Sequence, residues 1–410
     1  MFALDRSTHE RLTADLPDPL REAAAASFAV FESLPTPSPD EEDWRYVEVP
    51  GTLLEFEILE GPGSKPTPSS YEALFDEVTG RADIVDGHVV GVAGSNIIRL
   101  SDADLPSYEP AVAVDKFGAA AGAFGGSGVI IQAAAGEVVT NPVFVSVEAA
   151  TPGAVSIPRV LVVGGEASAI EVVVEQRSPD GLEALVLPDV EVVAGTAARV
   201  SVTVVQTWGD QTTAVGWHRL RAGRDASVAL SEAGLGAGFS RLRLTVDLVG
   251  RGADARITGA YFGDKTQTLD YRYFMNHIGP NTTSEMFLKG AVAGEARSVF
   301  SGLIRIEPGG QGANAHQTNR NLVLSDGAEA HSVPNLEILA NDVRCGHGSA
   351  VGPLDEEQRY YLMSRGLPGP RADRLQVLGF FEESLQRFPQ QKLEPVLRAA
   401  AMAKYDRVAQ

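Results

Sequence analysis

A glycine is followed five residues later by an aliphatic side chain at Gly165/Ile170, Gly195/Val200, Gly223/Val228, Gly252/Ile257 and Gly294/Val299. Gly327 continues the series, with Val333 one place late, and the glycines stand 30, 28, 29, 42 and 33 residues apart. A near-regular period of this length confines the chain to a stack of similar units, each burying its apolar face on its neighbours. The units are strands. Short runs rich in Val, Ile and Thr (HVVGVAG, SGVIIQAAAG, PRVLVVGG, AIEVVVEQ, ARVSVTVVQ) are punctuated by glycine. Apolar and polar residues alternate over Ala198–Val204 and Arg241–Val249. A mainly β fold with a β-helix (solenoid) core over residues 86–352 follows. A β-sandwich is the competing architecture, but its strands recur at a closer spacing of roughly 8–12 residues.

Helical segments flank this core. In the N-terminal part, residues 1–85, Pro19 suits a first-turn position, and Leu20, Ala24, Phe28, Phe31 and Leu34 share one face. PTPSPDEED, Pro35–Asp43, then breaks the helix and reads as a linker. The aromatic pair in Trp44-Arg45-Tyr46 reads as a docking anchor for that helix. In the C-terminal part, residues 353–410, Asp355 can cap a helix that stops at Arg365-Gly366. Leu375, Leu378, Phe381, Leu385 and Phe388 recur at steps of three and four, as do Leu393, Val396, Leu397 and Ala400. This stripe, with the Phe380-Phe381 pair, is either the core of a small domain or a docking face. Since a solenoid is held by its own coils, the domain is expected to be separable.

Several functions are disfavoured. With 34 basic and 54 acidic residues the net charge is −20, which repels phosphate backbones and argues against nucleic-acid binding. No run of about 18 apolar residues offers a membrane span, and the N-terminus lacks a signal-peptide pattern. A cytoplasmic protein is expected. The Gly/Ala-rich stretch Gly118–Gly128 reads as a loop but fails as a phosphate cradle, because no Lys-Ser/Thr closes it. Asn281, in the sequon Asn281-Thr282-Thr283, is expected in a turn.

The most chemical stretch is NDVRCGHGSAVG, Asn341–Gly352. It holds the only cysteine, Cys345, which rules out an internal disulfide, and it holds His347 two residues on. In an extended strand the two side chains share a face, about 7 Å apart. Thiolate and imidazole are preferred ligands of iron, zinc and copper. Two ligands do not close a site, so the pair reads either as half a metal site completed by another chain, or as a buried thiol and a turn histidine. His277, His316 and His331 read as surface or packing residues, and His9, His88 and His218 have no evident chemical neighbours.

The segment NRNLVLSDGAEAHSVPNLEILANDVRCGHGSAVGPLDEEQRYYLMSRG, Asn319–Gly366, resembles the SufB/SufD family of iron–sulfur cluster assembly scaffolds, and the SufD branch more than the SufB branch. Phe287–Gly290, Val299–Gly302 and Trp44–Tyr46 fit the same pattern. The resemblance is dense over roughly 270–366 and thin before that. It implies a non-enzymatic subunit of a complex with a SufB-like scaffold and a SufC-like ATPase, supplied indirectly by a cysteine desulfurase. It implies self-pairing of the isolated chain and ATPase docking through the C-terminal helices. It assigns His347, with Cys345 beside it, to the interface where a transient iron–sulfur cluster forms, with no cofactor held by the chain alone. Asn319 falls near the position where SufB has its cluster-building cysteine, which argues against a SufB-type scaffold. A carbohydrate-active β-helix enzyme is the reading from another class. It needs paired carboxylates, whereas Glu171, Glu175, Asp247 and Asp270 are scattered.

Overall fold

The computed structural model describes residues 2–47, 56–103 and 115–409. Its centre is a parallel β-solenoid of two facing sheets, one of 12 strands and one of 10. The ten strands of the last five coils fix the geometry. They are β1 (Thr212–Ala222), β2 (Ser227–Gly234), β3 (Phe239–Leu248), β4 (Asp254–Gly263), β5 (Thr268–His277), β6 (Thr283–Val292), β7 (Arg297–Ile306), β8 (Ala313–Val323), β9 (Glu329–Ile338) and β10 (Val343–Gly352). Odd strands build the first sheet and even strands the second. Register is held from coil to coil, so Val202, Leu230, Ile257 and Met286 stack at one level of the lumen. Alternation along each strand turns these residues inward, into one buried apolar column. The strand Gly80–Val85 already belongs to the second sheet.

The repeat is carried by a left-handed corner more than by glycine. Before successive strands of the second sheet, Ala167, Ala197, Asp225, Gly252, Asn281 and Gly312 have φ of 55, 57, 54, 74, 56 and 77°. They are 30, 28, 27, 29 and 31 residues apart. Each donates its backbone N–H to the next coil, from Ala167 to Thr196 O at 2.8 Å through to Gly312 to Asp342 O at 2.6 Å. That bond offsets the cost of a left-handed backbone at a residue with a Cβ, about 1–2 kcal/mol. The opposite corner has its own series, Ala237, Lys265 and Gly294, with φ of 73, 56 and 68°. The 42-residue step from Gly252 to Gly294 is therefore a change of corner and not an enlarged coil. Asn281 is indeed a turn residue.

Helices α1 (Arg6–Thr13), α2 (Asp18–Ser33) and α3 (Lys116–Phe124) pack on the outer face of the first sheet. In α2, Leu20, Ala24, Phe28 and Phe31 are buried. The α3 segment corrects the reading of residues 118–128 as a loop. Asp115 caps the helix by accepting the N–H of Gly118 at 2.8 Å. Its glycines serve close packing: a Cβ on Gly118 would lie 1.6 Å from the Trp217 ring, and one on Gly122 would lie 2.5 Å from Ser27 Oγ. Trp44 is buried in the same cluster as Phe28 and Phe31, with its ring 5.4 Å from that of Phe117 and the Arg241 guanidinium 3.8 Å from its own centre. It thus anchors on α3 and the sheet, within the core cluster that the N-terminal helix shares. Asp270 and Asp247 offer no free carboxylate pair. Asp270 is ion-paired with Arg241 and, at 2.7 Å, with Arg272, and Asp247 accepts from Asn276 at 2.8 Å.

At the other end of the chain, α4 (Glu356–Ser364), α5 (Gly369–Leu385) and α6 (Glu394–Val408) follow the last coil. Asp355 caps α4 by accepting from the N–H groups of Glu357 and Gln358, and Gly366 follows with φ 93°. The stripe on α5 and α6 is core. Phe381, Leu385, Phe388, Leu397 and Tyr405 cover Phe144, Val173, Val205 and Phe262 on the outer face of the second sheet. The helices are therefore part of the solenoid's packing, contrary to the expectation of a separable domain. Leu375 stands apart from this stripe, half-exposed beside Leu354, Leu362 and Phe380 in a shallow groove between α4 and α5.

Candidate functional site: the open end of the solenoid

The two ends of the solenoid differ. At the first end, short antiparallel strands cover the sheets, His88–Gly94 on Gly80–Val85 and Ile97–Arg99 on Gly128–Ala133. At the last end, β9 pairs only with β7 and β10 only with β8 among the described residues. The ladder bonds fix which backbone groups are left over. Glu329 and Leu339 donate back to Ala296 O at 3.0 Å and Ile306 O at 2.8 Å, so odd residues of β9 face β7 and even ones face the free edge. On β8, Asn314 donates to Thr282 O at 2.9 Å, which directs the odd residues of β8 towards β10. The groups of Val343, Cys345, His347, Ser349 and Val351 are thereby left on the free edge of β10. A ten-residue edge with unpaired donors and acceptors is a template for another strand.

The side chains of these residues face the lumen. By register Cys345 lies over Ala315, His347 over Gln317, Ser349 over Asn319 and Val351 over Asn321. The residues below are buried, whereas His347 and Ser349, with no coil above them among the described residues, are exposed. Cys345 is half-buried against the end of the apolar column. Burial pushes its thiol up from the usual cysteine value, against a smaller opposing pull from the backbone of Gly346. Ser349 Oγ donates across the lumen to Ser332 Oγ at 2.7 Å, and Ile338, Leu339 and Val351 leave an apolar rim partly open to solvent. No three His, Cys, Asp or Glu side chains among the described residues are gathered to hold a metal ion. The end coil thus brings together Cys345 and His347 and no third ligand.

The other histidines are placed as follows. His316 is exposed on the outer face, its ring 3.7 Å from where a Cβ on Gly346 would sit. His331 is on the outer face of β9, where its ring stacks on Tyr46. His277 is buried between Thr282 Oγ1 and Ser284 Oγ, both at 2.8 Å, and burial lowers its pKa to about 4. His9 bonds Ala123 O at 2.6 Å and His88 bonds Leu59 O at 3.0 Å. Asn319, under Ser349, donates to Tyr261 Oη at 3.2 Å and accepts from Asn321 at 2.7 Å. It is a buried link in a polar cluster just inside the mouth.

The sequence reading missed one pair. His218 and Glu232 face each other inside the lumen, Nδ1 to Oε2 at 3.9 Å. Burial lowers the imidazole pKa to about 4 and raises the carboxyl pKa to about 8. The available signal was a polar residue in an apolar column: His218 stands between Val190 and Leu244, and Glu232 follows Val204.

A parallel β-solenoid with flanking helices, closed at one end and open at the other, is the class of protein that fold and site define. Residues 145–380 match the family described as SUF system FeS cluster assembly, SufBD core domain. An iron–sulfur cluster assembly SufBD family protein of Mycobacterium bovis is 34% identical over 330 residues, covering 78% of this chain and 81% of that protein. The iron–sulfur cluster assembly protein SufD of Bacillus subtilis is 32% identical over 200 residues, 48% of this chain and 46% of that protein. The chloroplastic protein ABCI7 of Arabidopsis thaliana is 28% identical over 283 residues, 66% and 59% respectively. The chain belongs to the SufBD family of iron–sulfur cluster assembly proteins. No helix among the described residues is long and apolar enough to cross a membrane.

Proposed function

We propose that this chain is a SufD-type scaffold subunit, without catalytic activity of its own. Its last coil docks on a SufB-type scaffold in the cytoplasm and presents His347 to an iron–sulfur cluster forming at the junction. One observation carries the reading: the lumen face of a ten-residue strand with one free edge holds an exposed imidazole beside a half-buried thiol. The cluster is cargo, completed by ligands from the partner, because two protein ligands are fewer than the four that such clusters take. Cys345, half-buried and packed on the end of the apolar column, suits a neighbour better than a ligand. Asn319 and the single cysteine favour a SufD-type over a SufB-type role.

ATPase docking through the C-terminal helices belongs to the same proposal, and α4 is the element that suits it. None of its residues is buried, and Tyr360, Tyr361 and Met363 are 77, 57 and 45% exposed. Anaerobic co-expression with a SufB-type scaffold and a SufC-type ATPase tests the whole. A His347→Ala complex that assembles but loses cluster absorbance supports the reading, and full cluster yield overturns it.

A further inference from the structure

Residues 43–46 form a strap that crosses the outer face of the first sheet strand by strand towards the open end. Over β3, Arg241 donates to Asp43 O at 2.7 Å and Arg243 to Asp43 Oδ2 at 2.6 Å. Over β5, Arg272 donates to Arg45 O at 2.6 Å. Over β7, Arg297 donates to Tyr46 O at 3.3 Å. Over β9, the Tyr46 ring lies on that of His331, centres 5.0 Å apart and planes 12° apart. The strap thus delivers one aromatic ring to the outer side of an edge strand, β9, whose other edge is free among the described residues. Tyr46 remains 43% exposed there. Its backbone sits at φ 75°, a region that side-chain-bearing residues rarely occupy. A strained backbone holding an exposed ring at a defined place points to a use for the ring.

We propose that Tyr46, seated on His331, is a docking residue for the SufB-type partner. This rests on the reading that the last coil pairs with that partner's strands. A strand added beside β9 lies about 4.8 Å away. Its outward side chains then stand next to His331 in the same row, in reach of the Tyr46 ring. Tyrosine suits this position because it brings a large contact area at low entropic cost. The strap also makes the N-terminal helices part of the docking unit, through Trp44 in their shared core.

The test uses the full-length chain and the SufB-type scaffold of the same SUF system, with the dissociation constant and the thermal midpoint measured for each variant. Tyr46→Gly removes the ring and fits φ 75° without strain. Binding is expected to weaken by about 10-fold or more, with the midpoint unchanged or raised. Tyr46→Phe should bind within about threefold of wild type, since the ring face makes the contact. Wild-type affinity in Tyr46→Gly overturns the proposal while leaving the partner reading intact. A lowered midpoint with unchanged affinity reduces Tyr46 to a packing anchor and also overturns it. Absence of any wild-type complex overturns the partner reading, and the proposal with it.

Discussion

Lys404 Nζ on α6 lies 2.9 Å from Oδ1 of Asp264, in the turn after β4. The lysine is buried and also donates to Leu235 O and Gln267 Oε1, both at 2.7 Å, while Arg407 holds the other oxygen of Asp264 at 2.8 Å. Burial lowers the lysine pKa to about 8, against the opposing pull of Asp264. This clamp and the apolar face beside it make the last helices integral to the fold. A chain truncated after Gly352 should therefore not give a stable monomer, because Phe144, Val173, Val205 and Phe262 would face water. Sedimentation and thermal melting decide this. A soluble truncated chain that melts cooperatively near the full-length midpoint would count against the structure.

The α4 surface can be tested without that collapse. Replacing Tyr360 and Tyr361 together by serine should shift stability by no more than about 0.5 kcal/mol per site, as surface changes do. Co-purification of the SufC-type ATPase should be lost. An ATPase that stays bound to the double variant moves the docking site away from α4.

Cys345 and His347 separate by effect. Cys345→Ala trims a half-buried side chain packed on the core and should cost roughly 1–2 kcal/mol of stability, with cluster formation largely retained. His347→Ala should leave urea unfolding nearly unchanged and lower cluster formation in the complex sharply. A larger cluster loss from Cys345→Ala than from His347→Ala would transfer the ligand role to the thiol.

The Asp270 carboxylate is enclosed by Arg241 and Arg272, all three nearly inaccessible to water. Asp270→Asn leaves buried guanidinium charge without its counter-charge, which costs about 3–5 kcal/mol. Because Arg241 and Arg272 also hold the strap, the Tyr46 ring should loosen in the same variant. Denaturant unfolding measures the first effect, and proteolysis near residue 46 the second.

Glu232 sets a pH dependence of unusual sign. Its folded pKa of about 8 lies above the unfolded value of 4.5, so between those limits the folded state binds more protons. Stability from this group is present below pH 4.5 and is lost as pH rises towards 8. Glu232→Gln should gain about 3 kcal/mol on wild type between pH 4.5 and pH 7. His218 and His277 work the other way. Both have folded pKa values of about 4 against 6.5, so their contribution is lost as pH falls through that window. Parallel stability curves for wild type and Glu232→Gln would mean that Glu232 is hydrated and ordinary.

The solenoid was legible because its period and its alternation are both written in side chains. Its corners were only half legible. The left-handed position is filled by Ala167, Ala197, Asp225 and Asn281 as well as by Gly252 and Gly312, so a search for glycine jumps from one corner to the other. Helix α3 was hidden because glycine opposes helices by about 1 kcal/mol each, and contact with Trp217 and Ser27 overrides that preference. The shared face of Cys345 and His347 followed from strand geometry. That their coil is the last, with nothing among the described residues laid above it, depends on where the following helices go, and local pattern does not carry that. His218 and Glu232 lie on different strands and meet only when the coil closes.

The return of the C-terminal helices also bears on how the chain is made. Lys392 Nζ reaches Asp76 Oδ2 at 2.8 Å across 316 residues of sequence, and Phe381 stacks on Phe262 with ring centres 6.0 Å apart. During synthesis the coils can form in order as they leave the ribosome, each on the one before. Tyr71 and Phe75 shield the part of the second sheet near Phe144, but the rest of its outer side stays bare until the C-terminal helices emerge. The nascent chain therefore passes through a sticky, half-clothed stack until residues 369–408 have emerged to pack on it.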